Sequence, residues 1–252
     1  MPSLKVHRKN HLEYPDKVDQ LVATEKFDEL LKYTNFSLYK LISDSLLAQI
    51  LLHNNKTIIK HVVNNINYIN IPSNNKISLI HYLVRFLEDT TLLDYFIKKH
   101  NLNLELKTNK KWSPIHIACR YRSLDIIKLL VNKGVNLESS NNNKTKPLHL
   151  VCRYGTLEMI KLLIKRQVDL NSPTNEGWAP IHIVCHYGMC NTIIYMLNKN
   201  VDLDIRIKRY NGKHSDYGIK DLLMINPNLT NENKLKILEI IFQKEKIEIV
   251  TY

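Results

Sequence analysis

The sequence has few of the features that mark an enzyme. Six glycines are few for a chain of 252 residues, and none of them belongs to a Gly-x-x-x-x-Gly-Lys phosphate loop. The motifs Gly-x-Ser-x-Gly and His-Glu-x-x-His are also missing. Because the sequence contains no recognisable catalytic constellation, we expect a protein that is not an enzyme and uses no cofactor.

Long apolar segments and cysteines are scarce as well. The first ten residues lack the apolar core of a signal peptide. The longest apolar stretch, around 46–52, is far shorter than the roughly 20 residues of a membrane-spanning helix. Three of the four cysteines recur at a fixed spacing, which favours a reducing compartment over a disulfide framework. We therefore expect an intracellular protein, cytoplasmic or alternatively nuclear, that does not enter a membrane.

What the sequence does contain is an internal repeat. Prolines at positions 114, 147 and 180 are 33 residues apart, and His, Cys and Tyr residues follow them in the same register. The three copies start at 113, 146 and 179 and read Ser-Pro-Ile-His-Ile-Ala-Cys-Arg-Tyr, Lys-Pro-Leu-His-Leu-Val-Cys-Arg-Tyr and Ala-Pro-Ile-His-Ile-Val-Cys-His-Tyr.

Each copy predicts a pair of short helices. Proline fits the first turn of a helix, where its missing N–H would have had no partner. The apolar residues that follow cover one helix face, and a second amphipathic segment comes next, as in 124–131 and 157–164. Gly155 and Gly188 permit a tight turn between the two helices. Because neither helix buries its apolar face alone, stacked copies are expected to bury these faces against one another.

The opening of each copy resembles the ankyrin repeat, whose pattern is Thr-Pro-Leu-His-x-Ala. The resemblance implies an all-α fold, an ankyrin-repeat solenoid of stacked helix pairs with short β-hairpin fingers. It also implies that the repeated histidines bond across the tight turn and to the neighbouring repeat. The family pattern places a left-handed glycine after each second helix, and Gly134, Gln167 and Asn200 occupy this position here.

The three His-x-x-Cys pairs are better explained by structure than by metal binding. Equivalent positions lie about one repeat apart, so each pair offers two ligands, whereas zinc needs four that converge on one point. By family resemblance, Cys119, Cys152 and Cys185 are buried toward the neighbouring helix. We therefore predict no metal site and expect these cysteines to be unpaired and unreactive.

The repeat register and the segments that depart from it divide the chain. Residues 1–14 lack periodicity, and 207–252 needs a polar outer face because no further unit covers it. The unit at 73–107 diverges from the pattern, because it lacks the proline and carries two inserted residues near 88–91. The predicted segments are a loose basic arm (1–14), divergent N-terminal helical units that are degenerate repeats or a cap (15–72), a divergent ankyrin repeat (73–107), three ankyrin repeats (108–140, 141–173 and 174–206) and a degenerate C-terminal capping repeat (207–252).

The candidate binding residues are those that the repeat leaves free. Arg or His is followed by an aromatic residue at the same place in each unit. The ankyrin resemblance implies that these residues end the first helices on or near the concave face, and that the tryptophans and lysines lie on the fingers. Arginines and aromatic residues dominate binding hot spots. In the alternative interpretation, the tyrosines pack between repeats and the arginines cover them with their aliphatic stems. The predicted partner-binding residues are Arg85, Lys111, Trp112, Arg120, Tyr121, Lys144, Arg153, Tyr154, Trp178, His186 and Tyr187.

The charge suggests the kind of partner. Lys and Arg number 36 against 24 Asp and Glu, a net charge of +12, which favours a protein partner with an acidic surface. We therefore predict a monomeric, non-enzymatic scaffold that binds a protein through the concave face. Nucleic-acid binding is the less favoured alternative, since the charge is spread along the chain and no recognised motif accompanies it. A second alternative is an adaptor that recruits a ubiquitin ligase or kinase through its N-terminal helices.

Overall fold

The computed structural model describes residues 51, 55–65, 77–121, 123–210 and 213–250. The predicted arm at 1–14 and most of the predicted helical units at 15–72 lie outside the described residues. The chain forms two compact units, 1–68 and 69–252. Helix α1 (Lys56–Asn65) belongs to the first unit. The side-chain oxygen of Asn55 accepts the N–H groups of Thr57 (3.1 Å) and Ile58 (3.2 Å) and thereby caps this helix.

The second unit consists of consecutive helix pairs. The pairs are α2 (Leu79–Phe86) with α3 (Thr90–His100), α4 (Pro114–Tyr121) with α5 (Leu124–Asn132), α6 (Pro147–Tyr154) with α7 (Leu157–Ile164), and α8 (Pro180–Tyr187) with α9 (Cys190–Leu197). The antiparallel strands β1 (Ile207–Tyr210) and β2 (Lys213–Tyr217) follow, and the last pair is α10 (Ile219–Ile225) with α11 (Asn231–Val250).

The helices begin where the local sequence predicts. Proline occupies the first turn of α4, α6 and α8. The N–H before the proline donates to the Nδ1 atom of the histidine three residues later, as from Lys146 to His149 (3.1 Å). This bond satisfies one of the backbone donors that a helix N-terminus leaves without a partner. Side-chain oxygens cap the second helices α3, α5 and α7, and they belong to Asp89, Ser123 and Thr156.

Stacking of the pairs creates the core. The first helices α2, α4, α6, α8 and α10 each pack against the next, and α5 packs against both α3 and α7. Ile115, Leu130, Ile181 and Leu197 are completely buried between them. The apolar faces that a single pair would expose are covered by neighbouring pairs, as a solenoid requires.

Short turns form the fingers that precede the first helices. In three successive fingers an N–H donates to the carbonyl oxygen four residues later, for example from Thr108 to Trp112 at 2.9 Å. Adjacent fingers are joined by main-chain bonds, including Asn142 N–H to Lys110 O at 3.2 Å. The hairpin of β1 and β2 extends the fourth finger, and its strands pair Ile207 with Tyr217. The predicted all-α solenoid of stacked helix pairs with short hairpin fingers is confirmed.

The two glycines between paired helices serve a steric purpose. Gly155 and Gly188 have negative φ angles of −88° and −82°, so neither needs the left-handed freedom of glycine. A Cβ atom at Gly155 would lie 2.7 Å from the carbonyl oxygen of Val151, and one at Gly188 would lie 2.5 Å from that of Val184. The tight turn is possible because this atom is missing.

The turns after the second helices partly contradict the sequence prediction. Gly134 (φ 77°) and Gln167 (φ 58°) are left-handed, as is Asn101 (φ 46°) in the divergent unit. Asn200 has no positive φ, so the prediction for this residue is wrong. After α9 the N–H of Val201 bonds to the carbonyl of Lys199 (2.9 Å), which closes the turn without a left-handed residue.

The last helix, α11, has 20 residues and lies within the predicted capping repeat 207–252. Helix α11 begins at Asn231 because the Thr230 hydroxyl oxygen accepts the N–H of Asn233 at 3.2 Å. It continues to Val250. No helix in the described part of the chain is long and apolar enough to cross a membrane. The segment boundaries proposed above stay predictions.

Candidate protein-interaction groove

The repeated histidines connect each first helix to the following finger. Their Nδ1 atoms accept main-chain N–H groups, so the proton is on Nε2, which donates to a carbonyl oxygen in or just before the following finger. The Nε2–oxygen distances are 3.1 Å from His116 to Thr145 and 2.9 Å from His149 to Ser172. Burial lowers the pKa of His116, His149 and His182 to about 4. The predicted structural role of these histidines is confirmed, and their bonds hold the fingers in place beside the first helices.

The repeated cysteines are buried side chains of the stack. Cys119 and Cys185 are fully buried and Cys152 is 5% exposed, and all three are free thiols. Burial raises the pKa of each thiol because the thiolate would lose its hydration. The predicted burial is confirmed. Among the described residues, no three His, Cys, Asp or Glu side chains converge on a point where they could hold a metal ion.

Arginines at the ends of the first helices form a regular series. Each guanidinium lies over the tyrosine ring of the next repeat. The distances from the guanidinium carbon to the ring centroid are 4.7 Å for Arg85 over Tyr121, 4.4 Å for Arg120 over Tyr154 and 4.7 Å for Arg153 over Tyr187. We call Arg85, Arg120 and Arg153 the arginine ladder.

The ladder combines both interpretations of the sequence. The arginines cover the tyrosines, as the alternative interpretation predicts. Their charged guanidinium groups take part in these contacts together with the aliphatic stems. Each such contact is worth about 0.5–1 kcal/mol at an exposed site. All three arginines are exposed, and Tyr121 and Tyr187 remain 43% and 38% exposed. Stacking therefore orients the guanidinium groups and still leaves their edges open to solvent.

The ladder has no acidic partner within the described residues. None of its arginines forms an ion pair there. Lys146, by contrast, is neutralised, since its Nζ lies 2.6 Å from a carboxylate oxygen of Glu138 and 3.2 Å from one of Asp169. The ladder thus presents positive charge that the stack does not compensate.

A groove of about 640 Å³ lies between the fingers and the first helices. The predicted residues that line it are Trp112, Arg120, Arg153, Tyr154, Trp178 and Tyr187. The finger residues Glu176 and Lys208 line it as well, and sequence reasoning did not select them. Their place is set by the main-chain bond from Lys208 N–H to Glu176 O (2.8 Å), which the sequence does not reveal.

The remaining predicted residues lie outside the groove lining. Arg85 and Tyr121 form the rung on its N-terminal side. Lys111 and Lys144 are exposed residues of the finger turns, with left-handed φ angles of 58° and 57°. The ring of His186 packs between Trp178 and Tyr187, at centroid distances of 5.8 and 4.3 Å.

His186 ends the charged series. It occupies the register position of the ladder arginines in the fourth unit. Burial, together with the nearby charge of Arg153, lowers the pKa of His186 below its usual value. At neutral pH this position is therefore uncharged, and the ladder has three charged rungs.

Comparison with known families agrees with the stack of helix pairs. A family model for ankyrin repeats matches residues 46–141 and 134–207, with three copies. The chain belongs to the ankyrin repeat family. The match begins within the predicted N-terminal segment 15–72, so the family resemblance extends beyond the three well-formed ankyrin repeats. No curated protein matches the sequence at a significant level. Ankyrin repeats are generally protein–protein interaction modules.

Proposed function

We propose that this ankyrin-repeat protein is a non-enzymatic scaffold that binds an acidic segment of a protein partner in the groove. The single observation that carries the proposal is the arginine ladder, whose guanidinium groups are exposed, oriented by tyrosines and, among the described residues, not paired with acids. Guanidinium groups bind carboxylates through two parallel hydrogen bonds. Tyrosine and tryptophan add apolar contact area around these bonds. We further propose that the protein acts as a monomer in the cytoplasm or the nucleus.

Charge complementarity is expected to control both the rate and the specificity of association. Acidic partners are steered toward a basic groove, and a basic partner is rejected by repulsion. Trp112 and Trp178, which line the finger side of the groove, supply contacts that persist when salt screens the charges. Affinity should therefore weaken with salt without disappearing.

Affinity capture with a pair of charge-reversal variants tests the proposal. The test variant is Arg120→Glu with Arg153→Glu, and the control is Lys128→Glu with Lys165→Glu, which changes exposed residues in or next to the second helices of the same two repeats. Captured proteins are identified, purified and measured individually for direct binding. We expect the control to bind the partner like the wild type and the test variant to lose it.

The melting temperatures keep the result interpretable. Losing the contacts of two arginines costs about 1–2 kcal/mol, which is small against the roughly 5–15 kcal/mol of a typical domain. A test variant that binds normally contradicts the proposal. Capture that nuclease treatment abolishes would instead favour nucleic-acid binding, the alternative that the net charge of +12 supports. Deletion of residues 15–72 tests the adaptor alternative. If the shortened chain still binds the partner of the groove but no longer captures a second protein, such as a ubiquitin ligase or kinase, the adaptor is indicated.

A further inference from the structure

The spacing of the arginine ladder restricts the shape of the acidic segment. Each repeat contributes one rung, so consecutive guanidinium groups are separated by the distance between neighbouring repeats. Packed helices lie about 8–10 Å apart. The fingers agree with this value, because each contributes two chain segments joined by main-chain bonds, and bonded strands are spaced by about 4.8 Å. Successive rungs are therefore about 9–10 Å apart.

Few backbone conformations repeat a side chain at this distance on one edge. In a β-strand, residues on the same face recur about every 6.6 Å, which does not match the ladder. A polyproline II helix has three residues per turn and a rise of about 3.1 Å, so every third side chain points the same way at intervals of about 9 Å. In an α-helix every seventh residue recurs at about 10.5 Å.

The period and the lining of the groove decide between the last two conformations. The rung spacing of about 9–10 Å matches the polyproline II period of about 9 Å, whereas the helical period of about 10.5 Å is longer than the spacing. A polyproline II segment is thinner, and its proline rings are suited to aromatic-lined grooves. The tryptophans on the finger side provide such a lining.

We infer that the groove binds an extended, polyproline II-like peptide segment with an acidic residue at every third position. This inference rests on the proposed function and specifies the partner of the same groove. Three successive acidic side chains bind Arg85, Arg120 and Arg153, one at each rung. The residues between them, with proline favoured, face Trp112 and Trp178. Glu176 and Lys208 lie at the C-terminal side of the groove. They favour a ligand whose acidic residues stop at the last rung or are followed there by a basic residue.

Two blocked seven-residue peptides of identical composition test the register. The first has the order Glu-Pro-Pro-Glu-Pro-Pro-Glu, and the second has the order Glu-Glu-Glu-Pro-Pro-Pro-Pro. Affinities for the full chain are measured by fluorescence anisotropy at two salt concentrations. We expect the periodic peptide to bind about tenfold more tightly, because the block peptide places its three charges near one or two rungs.

Matched variants connect the effect to the ladder. In Arg120→Gln with Arg153→Gln, the preference for the periodic peptide should disappear. In the control, Lys128→Gln with Lys165→Gln, it should be unchanged. These variants remove the same charge from the same repeats, and both should keep the wild-type melting temperature within a few degrees. A preference that survives in the arginine variant overturns the inference.

The outcomes separate this inference from the proposed function. Equal binding of both peptides, lost in the arginine variant, overturns the three-residue register and leaves the acidic groove intact. Tighter binding of a helical peptide with Glu at every seventh position overturns the extended conformation. Tighter binding of a single-stranded oligothymidine than of either peptide overturns a peptide ligand altogether. If the affinity-capture experiment identifies a partner but neither peptide binds measurably, the inference is overturned and the proposed function is not.

Discussion

Acidification should destabilise the stack through its buried histidines. His116, His149 and His182 are held neutral, each with Nδ1 accepting a main-chain N–H and Nε2 donating to a carbonyl in or just before the following finger. Protonation would place a second N–H on Nδ1, opposite a backbone donor, and would introduce a charge in the core. Burial accordingly lowers the pKa of each from 6.5 to about 4.

The sign and the size of the effect follow from these pKa values. The folded pKa lies below the unfolded one, so the unfolded chain binds more protons at mildly acidic pH. The stabilisation is present above pH 6.5 and is lost as the pH falls toward 4. At pH 5 each histidine costs about 2 kcal/mol relative to pH 7, or about 5–6 kcal/mol for the three together. This is comparable to the whole stability of many domains.

Urea denaturation followed by circular dichroism at pH 7, 6 and 5, at constant ionic strength, measures the effect. The variant His149→Gln should be less stable at pH 7, because it loses two partly buried hydrogen bonds, but its free energy of unfolding should depend less on pH. Burial also lowers the pKa values of His81, His100 and His186, so these residues keep part of the pH dependence in the variant. The lowered carboxyl pKa values of Asp94 and Asp169 act only in more acidic solution and do not obscure this window. A wild-type stability that changes by less than about 1 kcal/mol between pH 7 and 5 would refute the reasoning.

Four further outcomes are expected. Gln167→Gly should stabilise the protein by roughly 0.5–1 kcal/mol in chemical denaturation, because Gln167 is left-handed, whereas Asn200→Gly should bring no such gain. Gly177→Ala should destabilise it by more than about 2 kcal/mol, since the added Cβ would lie 2.7 Å from the Lys208 nitrogen at a φ of 88°; a neutral effect would contradict this packing. Asn226→Leu should cost about 2–3 kcal/mol and lower the melting temperature, because its buried amide donates to two carbonyls of the preceding unit at 2.8 and 3.0 Å. The three buried cysteines should react with a thiol reagent only as fast as the protein unfolds, and rapid labelling of all three in native buffer would show that they are accessible.

Much of the fold follows from local chemistry that the sequence repeats. Proline fits a helix start, an apolar stripe needs a cover, and a period of 33 residues places the same stripe on successive helix pairs. The structural roles of His149 and Cys152 could also be predicted, because the same residue types recur in register with no convergent ligand set. For these features the local sequence and the tertiary packing favour the same structure. The amino-acid sequence is therefore enough to predict them.

Part of the candidate groove could be predicted in the same way. The recurrence of Arg and Tyr at the ends of the first helices indicates that they line a common face. The sequence does not show that each arginine lies over the tyrosine of the next repeat, as Arg120 does over Tyr154. That pairing joins residues in different helices and depends on the angle and distance at which the helices stack.

The sequence by itself determined the repeat, its helix pairs and the residue types that each unit presents. Only the tertiary structure decided which of these residues lie together and which backbone conformation each turn adopts. Gln167 and Asn200 occupy the same register position, yet only the first is left-handed. Lys208 lines the groove because its N–H bonds to the finger before it. Both outcomes depend on contacts between neighbouring units, and such contacts form only when the units are stacked in space.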